Sequence, residues 1–224
     1  MASPRNFSNC IVKDRNGNPV KPMTDGQHEL IKSIHDNRIT FGIGPAGTGK
    51  SFLAMCEAVH MLENKEISKI VLTRPAVEAG QSMGFMPGDL NEKYTPFLAP
   101  FFDALSILLT PEKLQRYTAK KMIEIQPLIY MRGTNQDTFL VLDEAQNCTI
   151  KELKMVITRI KPGGKFVING DPEQDDLPGG RSGLLKVTEI LKDVVGINTV
   201  HLSEDDIVRD PLVKEAIIAF RAAK

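Results

Sequence analysis

Three clusters in this chain combine residue types and spacings suited to work on a phosphate. The first is Gly44-Pro45-Ala46-Gly47-Thr48-Gly49-Lys50-Ser51, which fits GxxxxGK[ST]. Its glycines let backbone N–H groups converge on phosphate oxygens without Cβ clashes. A helix beginning at Lys50 turns its positive end toward the same anion. Lys50 is expected to reach the terminal phosphates, and the Ser51 hydroxyl to ligate Mg²⁺. The second cluster is the apolar run Phe139-Leu140-Val141-Leu142 ending in Asp143-Glu144. Asp143 is placed to hold Mg²⁺ through its water shell, and Glu144 to polarise an attacking water as general base. The third is Gly170-Asp171-Pro172-Glu173-Gln174, at the end of another apolar run. There Gln174 is in place to contact a terminal phosphate or to orient the water. Read alone, the second and third clusters are ordinary strand ends meeting solvent; behind a phosphate cradle they become a set.

Positioning such a set requires strand ends side by side. Short apolar runs at Arg38 to Ile43, Ile67 to Thr73, Thr138 to Leu142, Lys165 to Asn169 and Thr199 to Leu202 read as strands. Helical spacing follows Thr24, and helices are expected at Lys50 to Leu62, about Thr149 to Ile160, and Ser182 to Leu191. A last helix is expected from Asp210 as cap and Pro211 in its first turn, with Leu212, Val213, Ala216, Ile217 and Phe220 on one face. Continuous apolar strands alternating with helices predict an α/β fold, a mostly parallel sheet with helices on both faces. Residues 1–23 read as a loosely ordered arm with one short strand near Ile11 and Val12, and 24–224 as a single domain. The stretch from Arg74 to Pro100, rich in proline and glycine, breaks the alternation and opens a loop or helical insertion over about 74–121. It starts at the carboxyl edge of the sheet, where ligands bind in open α/β folds. Arg74, leaving a strand end, is directed toward phosphate or polynucleotide.

Composition narrows the class. At 224 residues the chain suits one domain, or at most two small ones. Lys+Arg and Asp+Glu are 28 each, so any hold on nucleic acid must come from a local patch. Lys113, Arg116, Lys120 and Lys121 form a stripe near helical spacing, although most such stripes are solvated faces. Phe85, Tyr94 and Phe97 are candidates to stack on bases or to anchor the loop. Cys10, Cys56 and Cys148 form neither a metal pattern nor a disulfide framework, and no apolar leader or membrane-length apolar run is present. The expected location is cytoplasmic.

As an ordered set, Gln27, the Gly44–Ser51 cradle, Leu72-Thr73-Arg74-Pro75, Asp143-Glu144-Ala145-Gln146 and Gly170-Asp171-Pro172-Glu173-Gln174 resemble the motifs of superfamily 1 helicases. The PhoH-like family of P-loop ATPases is the nearer resemblance. Further matches are Gly84-Phe85-Met86-Pro87-Gly88-Asp89-Leu90, Glu92-Lys93, Pro100 to Leu105, Ser182-Gly183-Leu184 and Val208-Arg209-Asp210-Pro211-Leu212-Val213. The resemblance implies a RecA-like core using ATP with Mg²⁺, with Gln27 reading the adenine, and for some members RNA-directed activity. Relatives often carry His where Asp210 stands, which puts an anion contact there in doubt. Short members of this kind are common among bacteriophages.

Fast phosphoryl transfer gains about 10³–10⁵ in rate from an arginine, roughly 4–7 kcal/mol of barrier. Arg209 is the first candidate and Arg181 the second, with a salt bridge to Asp205 or Asp206 as the plain alternative for Arg209. A neighbouring subunit supplying the residue implies a head-to-tail ring, six copies by resemblance to RecA-like rings. Two readings follow. One is a ring-forming ATPase acting on single-stranded RNA or DNA. The other is an ATP-dependent adaptor that recruits a protein partner such as a nuclease; a small-molecule kinase is a weaker third.

Overall fold

The structure is a computed structural model that describes residues 11–75, 90–131, 138–177 and 179–222. Its main sheet has six strands, all paired in parallel, in the order β5-β4-β6-β7-β3-β8. The strands are β3 (Ile39–Ile43), β4 (Ile70–Arg74), β5 (Ile123–Pro127), β6 (Phe139–Leu142), β7 (Lys165–Gly170) and β8 (Ile197–His201). A separate antiparallel pair, β1 (Val12–Lys13) and β2 (Pro19–Val20), lies ahead of them.

Helices cover both faces. On one face α1 (Asp25–Asp36), α2 (Lys50–Glu63) and α3 (Leu90–Leu108) bury Leu30, Leu53, Phe101 and Leu105. On the other, α5 (Ile150–Ile157) and α6 (Leu184–Leu191) bury Leu153, Val156, Leu184 and Val187. The side chains of β3 and β7 divide between the two cores by period-two alternation: Phe41 and Ile168 enter one, Val167 the other. A short helix α4 (Pro111–Ala119) follows α3, and α7 (Pro211–Ala222) ends the described chain.

Three features refine the expectations. Within the arm Ile11 and Val12 are buried, and Arg15 N donates to the Ile107 carbonyl at 2.9 Å. The insertion contains regular structure, because α3 runs through Pro96 and Pro100. Two prolines in a helix cost about 3 kcal/mol each. Burying Leu98, Phe101, Leu105 and Leu108 returns about 2 kcal/mol per side chain, which is enough to offset that cost. Finally, β5 is an additional strand. It sits at the sheet's edge, where a terminal proline is tolerated because only one side needs ladder hydrogen bonds.

Some expectations fall outside what is described. They are Cys10, the motif from Gly84 to Asp89 with Phe85, and the side chains of Leu90, Glu92, Lys93, Tyr94, Phe97, Val213, Ile217 and Phe220. Among the described residues, no helix is long and apolar enough to cross a membrane.

Candidate nucleotide site

Strand β7 lies between β3 and β6, so the three chemical clusters emerge side by side from one edge of the sheet. The cradle leaves β3, Asp143 leaves β6 and Asp171 leaves β7. Together they line a cleft of about 440 Å³ that includes Ala46, Gly47, Gly49, Lys50, Ser51, Arg74, Asp143, Glu144, Asp171, Gln174 and Arg209.

Backbone conformation shapes the cradle. Gly47 and Gly49 hold φ of 86° and 81°, a region open to glycine at little cost. Gly49 caps α2, so the helix starts at Lys50. The Lys50 ammonium is buried and donates to the Gly44 and Pro45 carbonyls, each at 2.7 Å. Burial holds its pKa below the ordinary lysine value, an effect opposed by the nearby Asp171, Asp143 and Glu144 carboxylates.

The Ser51 hydroxyl donates to Asp143 Oδ1. Arg74 donates to Asp143 Oδ2 from Nη2 at 2.5 Å and from Nε at 3.2 Å, and lies 3.8 Å from Glu144. Its guanidinium also stands over the Phe101 ring, 5.1 Å from the centroid. A hydroxyl beside a buried carboxylate is the hard-oxygen pair that Mg²⁺ prefers when it shares its shell with phosphate. Ser51 and Asp143 therefore fit that ion. Among the described residues, no group of three or more His, Cys, Asp or Glu is disposed to hold a metal without such a ligand.

Glu144 sits in the left-handed region at φ 58°, a strain of about 1–2 kcal/mol that clusters at functional sites. Gln146 holds its side chain. This buried amide donates from Nε2 to Glu144 Oε2 at 2.6 Å and accepts from Asp171 N at 3.0 Å. With its acceptor end committed to β7, its donor end necessarily faces Glu144. Asp171 extends the relay: its Oδ2 accepts from Ala46 N at 3.2 Å and from Gln174 Nε2 at 2.7 Å. Gly170 is required beneath it, since a Cβ there would lie 2.5 Å from Leu184 Cδ2.

The individual sequence expectations fare differently. Lys50, Ser51, Arg74, Asp143, Glu144, Gln174 and Arg209 share the cleft. Thr48 is buried, with its hydroxyl donating to the Pro45 carbonyl. Gln27 lies behind the cradle: its Nε2 donates to the Thr48 carbonyl at 3.0 Å and its Oε1 accepts from Met23 N at 2.8 Å. One N–H and one lone pair of the amide remain beyond these bonds, but the side chain is buried, so contact with an adenine requires its cover to shift. Arg181 is exposed and outside the cleft lining. Arg209 lies along Gly47 instead of pairing with Asp206, whose oxygens serve Thr24, Gly26 and Ser203. The basic stripe is partly spent: Lys113 pairs with Glu63, and Arg116 stands over Tyr117. Gln146 and Asp171 gained no individual role from the sequence. Their signal is position: Gln146 lies just past the acidic end of β6, and Asp171 directly follows β7.

A parallel sheet with a phosphate cradle on one strand, and carboxylates on the next two strand ends, defines a P-loop nucleotide-binding protein of RecA-like fold. A solved large terminase from a thermophilic bacteriophage, in complex with ADP, superposes with TM-score 0.52 over 88% of this chain and 49% of that one. At 10% identity that likeness concerns the fold.

The family model described as PhoH-like protein matches residues 19–221, and the chain belongs to the PhoH-like family. It is 49% identical over 212 residues to a PhoH-like protein of Bacillus subtilis, covering 94% of this chain and 66% of the relative. It is 47% identical over 220 residues to one of Mycobacterium tuberculosis, covering 97% of this chain and 62% of the relative. The chain thus spans under two thirds of the mycobacterial protein's length.

Proposed function

We propose that this chain is a Mg²⁺-dependent ATP hydrolase acting on single-stranded RNA or DNA. The observation that supports hydrolysis most strongly is the Glu144–Gln146–Asp171 relay, which holds a carboxylate at the cleft beside Lys50 and Ser51. Ser51 and Asp143 would hold a Mg²⁺ ion, which would supply charge neutralisation to the phosphates. Lys50 adds a cation on the cradle side. Glu144 takes a proton from the water that attacks the terminal phosphorus, the bond to the bridging oxygen breaks, and ADP and phosphate leave. Gln174, tied to Asp171, is placed to sense the terminal phosphate. Arg209, on the cradle of its own chain, supplies the arginine in cis. The head-to-tail ring of six is therefore a proposal about assembly, and turnover has no need of a neighbour's arginine.

The partly spent basic stripe favours a second reading, the adaptor that recruits a protein partner such as a nuclease. Turnover with and without single-stranded RNA separates the two. The first reading expects stimulation that weakens with added salt. Unchanged turnover leaves the adaptor, and absence of any ATP cleavage overturns both.

A further inference from the structure

Asp206 is buried in the short turn Glu204–Asp206 after β8. Its carboxylate meets four hydrogen-bond donors, two at the distant start of α1 and two on Ser203 of its own turn. Oδ1 accepts from Thr24 Oγ1 at 2.6 Å and from Gly26 N at 3.1 Å. Oδ2 accepts from Ser203 N at 2.8 Å and from Ser203 Oγ at 3.4 Å. The fit at α1 is close: a Cβ on Gly26 would lie 2.5 Å from both carboxylate oxygens. These donors include the first turn of α1, where the helix dipole also favours a negative charge.

The consequence lies three residues on. Val208 N donates to the Gly47 carbonyl at 3.2 Å. The Arg209 side chain then crosses Gly47, with Cγ, Cδ and Nε 3.1–3.2 Å from where a Cβ would stand. Buried Ile207 fills the step between them. Beyond Arg209 the chain turns into α7, where Asp210 Oδ1 accepts from Leu212 N at 2.9 Å. Arg209 itself is exposed, so its own environment does little to fix it. The order that brings it to the cradle comes from the segment before it, and Asp206 ties that segment to α1.

We propose that Asp206 is a positioning residue that clamps Arg209 onto the phosphate loop, so that a bound nucleotide meets an arginine of its own chain. The inference about hydrolysis rests on the proposed ATPase reading; the inference about binding does not.

The test is a double-mutant cycle on the full chain, read in two ways. Mg·ADP affinity is measured by calorimetry, and ATP turnover by phosphate release. The variants are Arg209→Ala, Asp206→Asn, their combination, and Gly26→Ala. Asp206→Asn keeps an oxygen for Thr24 and Gly26 but turns an N–H₂ toward the Ser203 donors. Gly26→Ala pushes on the same carboxylate from another element. Arg209→Ala is expected to weaken Mg·ADP about 10-fold and to slow turnover about 100-fold or more. Asp206→Asn and Gly26→Ala are each expected to give a sizeable part of both losses. The combination should be no worse than Arg209→Ala within about threefold.

Losses that multiply, or an Asp206→Asn protein with wild-type affinity, overturn the clamp. Wild-type affinity in Arg209→Ala overturns it as well. If the wild type cleaves no ATP while the affinity cycle is non-additive, the ATPase reading fails and the clamp stands. Should Asp206→Asn not fold, Gly26→Ala combined with Arg209→Ala completes the same cycle.

Discussion

On the inner side of the cleft Asp143, Gln146 and Asp171 are 5%, 1% and 8% exposed, and each is bonded to the segment leaving a neighbouring strand. On the outer side Arg209 is exposed, and so are Met23 and Leu212, close in sequence to the residues that anchor it, at 73% and 74%. The inner side inherits its geometry from the sheet: β3, β7 and β6 are consecutive, so their carboxyl ends cannot lie far apart. The outer side has no sheet to organise it. It depends on a few hydrogen bonds from one buried carboxylate to residues about 180 positions away in the chain. The proposed phosphate and metal chemistry would thus rest on the part of the molecule that the sheet organises, and the outer wall on the turn that Asp206 ties to α1.

Substitutions break this contrast in graded fashion. The largest effects belong to the inner side. Lys50→Ala should abolish measurable turnover, while Glu144→Gln should bind ATP and slow its cleavage by about 10³-fold; filter binding and phosphate release check both. Next is Gln146→Met, which preserves shape and removes both ends of the relay. It should lower kcat by about 10²-fold with KM for ATP little changed, and add nothing further in a Glu144→Gln background.

Arg74→Ala sharpens the comparison through stability. Arg74 is the cationic partner of the Asp143 carboxylate, which is 7% exposed as a side chain. Leaving that charge unmatched should cost about 3 kcal/mol in the nucleotide-free protein, read from chemical denaturation. Much of the loss should be recovered with Mg·ADP. Gln27→Ala, behind the cradle, should weaken ATP and GTP by similar factors of about 3–10, because its amide braces Thr48. A selective loss of ATP would instead assign it to the adenine.

The smallest effect is on pH. Burial lowers the Lys50 pKa from 10.5, so its charge is lost on the alkaline side earlier than for a free lysine. Nucleotide affinity should therefore fall as pH rises through that lowered value. A titration by calorimetry in the alkaline range checks it, and Lys50→Arg should move the loss to higher pH.

Much of the inner side was legible before any coordinates. The cradle, Asp143-Glu144 and the Gly170–Gln174 turn each end an apolar run, and strand periodicity is local information. What stayed hidden was pairing between distant segments. Nothing in the spacing of Ser203 and Asp206 announces Thr24 and Gly26 as partners, although a Ser-x-x-Asp pattern does mark a local cap, and that cap is present. Gln146 reads as the tail of a motif because the bond that gives it a role, from Asp171 N, crosses to the neighbouring strand end. The edge strand β5 was missed for another reason: it is short, alternates only weakly and ends in Pro127. In α3 the prolines Pro96 and Pro100 leave loop and helix both open, and tertiary burial of Phe101 and Leu105 decides for the helix.

The most direct test of the account is a crystal structure with Mg²⁺ and a nonhydrolysable ATP analogue. The account predicts the terminal phosphates in the cradle near Lys50, the ion at Ser51 and Asp143, Glu144 still bonded to Gln146, and Arg209 of the same chain against the nucleotide. An analogue bound outside the cleft, or an ion held away from Ser51 and Asp143, would contradict it.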